Sequence, residues 1–200
     1  MKKIFDKFNE RKPKMIGRYR KSSVMILLIN LDGELNIVFE KRALTLNSQP
    51  GDISLPGGAI EEGESPKAAA IREAMEELNI DKKSIKQVGT MDYFISAYNS
   101  IIYSFVGELT QKIRQPNLDE VDHIFYVPLK FFMDNEPKEY WMELVPEFRY
   151  DFPFDLIHGG KNYNFSKRKQ IQYFYRYNDY VIWGFTALII KRFIEIIKME

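Results

Sequence analysis

Gly58-Ala-Ile-Glu-Glu-Gly-Glu64-Ser-Pro-Lys-Ala-Ala-Ala-Ile-Arg72-Glu73-Ala-Met-Glu76-Glu77-Leu-Asn79-Ile80 is the stretch around which the chain is organised. It sets a glycine turn before a segment with the marks of a helix. Ser65 is a good N-cap, and Pro66 falls at the first helical position, where a missing N–H is harmless. Ile71, Met75 and Leu78 recur at helical spacing and form the expected buried stripe. Asn79 stands where the helix should stop, and Asn is second only to Gly in accepting a left-handed cap. On such a helix, offsets of three and four bring Glu73, Glu76 and Glu77 onto one face. Three like charges within roughly a third of the circumference repel one another. A bare Glu-x-x-Glu-Glu is commonly a solvated surface. The preceding Gly57-Gly58, the further carboxylate Glu64 and the adjacent Arg72 point instead to a cluster that surrounds something positive.

Strand signals lie on both sides. Ser23 to Asn30 is apolar and β-rich, Asp32-Gly33 is a hairpin turn, and Leu35 to Arg42 is the partner strand. Residues 43–57 form a loop that ends in a short strand and Pro56-Gly57-Gly58. Beyond the helix, Lys86 to Ser96 and Ile101 to Leu109 read as strands joined by a turn over 97–100. Glu120 to Val127 reads as another, with Pro128 opening a short helix through Asp134. Tyr140 to Leu144 and Ile171 to Tyr177 are strand candidates around an irregular, aromatic stretch, 145–170, of the length that binding loops reach. Trp183 to Met199 closes the chain as a helix with Ile189, Ile190, Phe193, Ile196 and Ile197 on one face. An amphipathic helix is expected over 2–11, ended by Pro13.

Composition sets the outer limits. The 200 residues suit one domain, 1–200, with a core of about 22–130 and an extension over 131–200. A net charge of +1 supplies no bulk basic field for nucleic acid. With no cysteine there is neither a disulfide nor a thiolate metal site, which is compatible with a cytoplasmic setting. The start has lysines but no following apolar run, so it does not read as a secretory signal. The apolar run Val181 to Ile190 is too short for a membrane span.

The stretch 58–80 resembles the signature of the Nudix hydrolases. That signature runs Gly, five residues, Glu, seven residues, Arg-Glu, an apolar residue, any residue, Glu-Glu, any residue, Gly and an apolar residue. Gly58, Glu64, Arg72, Glu73, Glu76 and Glu77 match every chemical position, and only the conformational position departs, with Asn79 for Gly. The resemblance implies an α/β/α sandwich around a mixed β-sheet, with helices at both ends of this chain. It implies diphosphate hydrolysis dependent on Mg²⁺ or Mn²⁺. By the family pattern Glu73, Glu76 and Glu77 hold metal together with the Gly58 carbonyl, Glu64 is metal-linked or supporting, and Arg72 pairs with a box carboxylate, Glu73 foremost. Hard oxygen donors suit these ions. Glu120, with Asp119 and Asp122 as rivals, is the candidate for the further acid outside the box that serves as base or ligand.

Two flanking stretches resemble the coenzyme A diphosphatase branch of the family. Before the box stand Arg42, Gly51 and Leu55-Pro56-Gly57-Gly58; near the end stand Trp183-Gly184-Phe185-Thr186-Ala187. Departures from the branch are Asn47 for Arg, Leu55 for Phe and Asp52 for Gln. The likeness spans about residues 22–195. It implies a small-molecule substrate, coenzyme A or a thioester, split to 3′,5′-ADP and phosphopantetheine. Lys41, Arg42, Gly57 and Gly58 are the expected substrate contacts, and Lys167, Arg168 and Lys169 read as a solvated basic loop. Trp183 reads as core packing, and His123 and His158 as structural or solvent-facing. Another nucleotide is the alternative: Tyr98 falls where dinucleoside polyphosphate hydrolases tend to carry a Tyr. The aromatic 145–177 region leaves room for a homodimer.

Overall fold

Asp32 and Gly33 both have positive φ, 54° and 92°, as a two-residue hairpin turn requires. The computed structural model describes residues 2–199. Helix α1 is Lys2–Asn9. The Asp32-Gly33 turn joins β1 (Arg20–Leu31) to β2 (Glu34–Arg42). There follow β3 (Ile53–Ser54), β4 (Gly57–Ala59), α2 (Pro66–Leu78), β5 (Ile85–Thr90), β6 (Phe94–Ile95), β7 (Ser100–Leu109), β8 (Val121–Pro128) and α3 (Leu129–Asp134). The chain ends with β9 (Lys138–Leu144), β10 (Arg168–Tyr177), β11 (Tyr180–Trp183) and α4 (Gly184–Lys198).

The main sheet is mixed. β1 runs parallel to β7, and the other pairings are antiparallel. Its central feature is a split. β1 and β2 are paired from Leu28↔Ile37 to the turn, but beyond that point each takes a different neighbour. Ser22, Ser23 and Val24 pair with β4, while Glu40 and Lys41 pair with β3. The Pro56-Gly57-Gly58 segment enters this opening, with the Met25 amide donating to the Pro56 carbonyl at 2.8 Å. Only glycine fits at 57, because a Cβ there would overlap the Ser23 carbonyl and lie 2.6 Å from Val24 Cα.

Strand alternation divides the core in two. One face of β1 and β2, with Met25, Leu27, Ile29 and Val38, packs against Ala70, Ala74 and Leu78 of α2. The other face, with Ile26, Ile37 and Phe39, packs against Phe132 of α3 and Ile190 and Phe193 of α4. Layers of helix, sheet and helix result. The stripe that α2 buries differs from the expected one. Ala69, Ala70, Ala74 and Leu78 go under, and so does Glu77, while Ile71 and Met75 are only half-buried. Alanines let the helix axis approach the sheet closely, so the larger residues are displaced to its flanks. Enlarging Ala74 would overpack the interface at about 1–3 kcal/mol.

A second, three-stranded antiparallel sheet, in the order β11-β10-β9, stands beside the first. Tyr175 and Ile182 join it to the core beside α4. Residues 145–167 hold themselves together through Phe148, Phe152, Phe154 and Phe165, with Phe148 at ring-centroid distances of 4.6–5.2 Å from the other three.

Several boundaries differ from the sequence expectation. Lys86 to Ser96 is two strands, β5 ending at Thr90 and β6 starting at Phe94, and within β5 Gln87 takes positive φ where the pairing register shifts between Lys86 and Gly89. Tyr180 to Trp183 is a strand, so the closing helix begins at Gly184. On that helix Ile194 is buried, whereas Ile196 and Ile197 are exposed. Ile4, Phe5 and Phe8 of α1 also remain exposed. No helix among the described residues is long and apolar enough to cross a membrane.

Candidate active site

Helix α2 starts and stops as its end residues dictate. The Ser65 hydroxyl accepts from the Ala68 amide at 3.2 Å. Asn79 adopts the left-handed conformation (φ 50°, ψ 53°). Between these caps the helix lies over the sheet split, with its C-terminal half above β4. The Gly57 N–H donates to Glu77 Oε2 at 2.7 Å. At Gly58 a Cβ would sit 2.5 Å from Glu73 Cδ and both its carboxylate oxygens. The two glycines therefore form a backbone floor directly under two box carboxylates.

Arg72 ties the outer carboxylates together. Its Nε and Nη2 donate to the two oxygens of Glu64, each at 3.1 Å. Nη1 donates to Glu73 at 2.9 Å and Glu76 at 3.1 Å, and Nη2 also reaches the Ala59 carbonyl at 3.0 Å. The expected Arg72–Glu73 pair is present, but the bidentate partner is Glu64, which gives both oxygens to the guanidinium. Hydrogen bonding to Arg72 holds the Glu64 carboxyl below its ordinary range.

The inner carboxylates have the opposite electrostatics. Burial lifts Glu73, partly offset by its hydrogen bond to Arg72. Glu77 is lifted well above the carboxylate range, first by burial and then by repulsion from Glu40, against the Gly57 hydrogen bond. Glu40 lies on β2 with no exposure and is lifted by burial too. Glu120 repels Glu40, Glu73 and Glu77 alike, which puts it on the same cluster. The turn that carries Glu120 is fastened to α2 by the Asn117 amide, which donates to the Glu77 carbonyl at 2.9 Å. Asp122 is engaged elsewhere, with His123 at 2.8 Å and Lys41 at 3.5 Å.

Among the described residues no three His, Asp or Glu side chains converge as a finished metal cage. Arg72 engages one carboxylate oxygen each of Glu73 and Glu76. The donor chemistry nevertheless fits a hard divalent cation. Glu40, Glu73, Glu77 and Glu120 are all carboxylates, one buried carboxylate oxygen of Glu40 has no hydrogen-bond partner, and Gly58 leaves the floor open where a Cβ would fill it.

An open cavity of about 430 Å³ adjoins this cluster at Gly57 and Gly58. Arg42 lines it, its guanidinium held, among the described residues, by the Ser48 carbonyl alone at 3.3–3.4 Å. Lys41 does not join Arg42. It lies beside Asp122 and lines a neighbouring hollow at Tyr180 and Val181 that shares Asp52, Ile53 and Trp183 with the cavity. Lys167, Arg168 and Lys169 are exposed and lie away from the cavity. Trp183 is not a core residue. It is 41% exposed, stacks on Phe174 at 5.8 Å and lines the cavity with Tyr98 and Phe185. Thr186 fastens the start of α4 to the Ile53 carbonyl at 3.2 Å. His123 bridges Asp122 and the Tyr180 hydroxyl, and His158 is exposed.

Sequence reasoning missed two residues here. Arg20, at the start of β1, lines the cavity, but nothing in its local sequence marks it. Glu40 carried a signal that could have been read: a carboxylate in a strand whose neighbours Val38 and Phe39 are both core residues.

A mixed sheet layered between helices, with a Gly-Gly floor under a carboxylate helix, defines an α/β/α sandwich built around the signature helix. The chain belongs to the NUDIX family, whose domain profile matches residues 19–149. Nudix hydrolase 15, mitochondrial, of Arabidopsis thaliana is 31% identical over 86% of this chain and 57% of its own length. The peroxisomal coenzyme A diphosphatase of Mus musculus is 30% identical over 66% of this chain and 56% of its own length. The chain thus spans little more than half the length of these relatives. A solved MutT/nudix family protein from Enterococcus faecalis covers 98% of this chain and 69% of its own, with a TM-score of 0.52 and 13% identity, a likeness of fold.

Proposed function

We propose that the protein is a divalent-metal-dependent hydrolase of a nucleoside diphosphate linked to a second group. Its foremost substrate is coenzyme A or a thioester of it, cleaved to 3′,5′-ADP and phosphopantetheine or its acyl form. The observation that carries this reading is the junction of the box carboxylates with the Arg42-lined cavity at Gly57 and Gly58. Identity to a coenzyme A diphosphatase of mouse supports the choice of substrate.

In this reading Glu73, Glu76, Glu77 and the Gly58 carbonyl hold Mg²⁺ or Mn²⁺. Bound there, the ion supplies neutralisation of phosphate charge and a more acidic water. Glu120 accepts the proton of the attacking water. Arg72 positions Glu73 and Glu76 by its hydrogen bonds, while the Gly57 amide positions Glu77. Arg42 binds a phosphate as a forked donor, and Tyr98 or Trp183 offers a ring face to the base. Residues 131–200 serve substrate choice, since β11 and the start of α4 form one wall of the cavity. A cytoplasmic setting, with no disulfide to protect, belongs to the same proposal.

One observation favours a second reading. Tyr98, at the position suggesting dinucleoside polyphosphate hydrolysis, lines the cavity. A product assay separates the two. Purified protein with Mg²⁺ or Mn²⁺ is offered coenzyme A, acetyl-coenzyme A, ADP-ribose, NADH and diadenosine polyphosphates, and products are resolved by chromatography. Release of 3′,5′-ADP faster than cleavage of the others is expected. Fast cleavage of another nucleotide with coenzyme A intact would end the first reading.

A further inference from the structure

Glu40 is the one buried carboxylate near the site that the family signature does not account for. Alternation along β2 decides where it points. Val38 packs onto Ala70, Ala74 and Leu78 of α2, whereas Ile37 and Phe39 pack onto the opposite core. Two residues on from Val38, Glu40 projects from the same face, toward the helix half that carries Glu73 and Glu77. The sheet is split at this level, so the side chain enters the space beside β3 and β4 without crossing a strand.

Its bonding is half complete. Oε1 accepts from the Ser54 hydroxyl at 2.8 Å. Oε2 is buried and has no partner. Arg42, two residues on, turns its guanidinium to the Ser48 carbonyl and forms no ion pair with Glu40 among the described residues. Among neighbouring charges, Glu40 is the strongest source of repulsion on Glu77. A core position would ordinarily be filled by an apolar residue, and an unpartnered carboxylate oxygen there is costly. Serving only as acceptor for Ser54 does not require a carboxylate, since an amide oxygen would do the same.

We propose that Glu40 is a further carboxylate of the metal site, with Oε2 turned to the cation held by Glu73 and Glu77 or to a water in its coordination shell, and Oε1 fixed by Ser54. The inference rests on the metal-dependent reading above. It gives the site a donor on the sheet in addition to those on α2, so that β2 and α2 close on the cation from two sides. Ser54 then acts as an orienting partner of the kind that ligating carboxylates require.

The test is Mn²⁺ binding, followed by calorimetry and by loss of the free-ion paramagnetic signal, in wild type, Glu40→Gln and Ser54→Ala. Gln keeps the Ser54 acceptor and the side-chain volume but removes the charge. Affinity for Mn²⁺ is expected to fall about tenfold or more in Glu40→Gln and less in Ser54→Ala. The unfolding midpoint of Glu40→Gln in EDTA is expected to be no lower than that of wild type. Should Gln misfold there, Glu40→Thr, which also shortens the side chain, carries the same measurement. Unchanged Mn²⁺ affinity in a folded Glu40 variant overturns this inference alone. A wild-type protein that takes up no Mn²⁺ overturns the metal reading with it.

Discussion

Gly57 and Glu77, twenty residues apart, are joined by a 2.7 Å hydrogen bond from backbone N–H to carboxylate Oε2. The bond links the sheet split to α2 and joins two requirements. Glycine is needed so that the chain can lie against Ser23 and Val24. A side-chain oxygen at position 77 is needed so that the part-buried amide finds an acceptor.

Gly57→Ala should therefore be among the most damaging small substitutions in the chain. The new methyl meets backbone, which has nowhere to move, so a loss of about 2–4 kcal/mol is expected. Urea unfolding at neutral pH measures it. A midpoint within error of wild type would mean that the strand opening is looser than its geometry states.

Glu77 links the site to pH. Burial and repulsion from Glu40 raise its carboxyl in the folded protein. The unfolded chain releases that proton near the ordinary Glu value of about 4.3. The folded state thus binds more protons above that value, and stability of the metal-free protein falls as pH rises. Glu77→Gln removes the ionisation and keeps an acceptor for Gly57. In EDTA its stability should decline less steeply between pH 5 and 9 (~4 pH units, spanning the raised range), and at the alkaline end it should exceed wild type. Parallel curves in urea titrations would contradict this. Turnover with Mg²⁺ should drop by orders of magnitude, about 10²-fold or more.

How much of this was legible in the sequence depends on what each residue needs. The caps Ser65 and Asn79 and the hairpin at Asp32-Gly33 are local, and the structure has them as read. The buried stripe of α2 was misjudged because hydrophobic size points to Ile71 and Met75, whereas close packing on the sheet selects Ala70 and Ala74. Lys41 and Arg42 looked equivalent as neighbours in sequence, yet the irregularity between them in the β2–β8 pairing leaves Arg42 in the cavity and Lys41 beside Asp122 and the neighbouring hollow. Arg20 enters the cavity through the pairing of β1 with distant strands, which no local pattern announces, whereas Glu40, a carboxylate directly after the core residues Val38 and Phe39, was legible and passed over. Two strands of the second sheet, β9 and β10, were legible as Tyr140 to Leu144 and Ile171 to Tyr177, whereas β11 escaped because Tyr180 to Trp183 is short and runs straight into α4.

Arg72 is a planar five-donor group meeting three carboxylates and a carbonyl. Lysine supplies charge but no fork. Arg72→Lys should fold, lose about 1 kcal/mol for the broken partly exposed network, and lose far more in rate because Glu73 and Glu76 are no longer oriented. The fall should be in kcat, with KM for the nucleotide changing less than twofold or so. A rise in KM at constant kcat would instead make Arg72 a substrate contact.

The last expectation concerns two neighbouring cations on one strand. Arg42 lines the cavity, and among the described residues its hydrogen-bond acceptor is the Ser48 carbonyl at 3.3–3.4 Å, so the guanidinium is available to a phosphate. Lys41 pairs with Asp122 at 3.5 Å and lines the neighbouring hollow rather than the cavity. If Arg42 meets the 3′-phosphate of coenzyme A, Arg42→Ala should reduce kcat/KM for coenzyme A about tenfold more than for dephospho-coenzyme A, the worth of one charge-assisted pair. Lys41→Ala should lower both by the same small factor, because it removes only a surface ion pair. Equal losses on the two substrates in Arg42→Ala would remove that arginine from 3′-phosphate recognition and turn attention to Arg20, the other arginine lining the cavity.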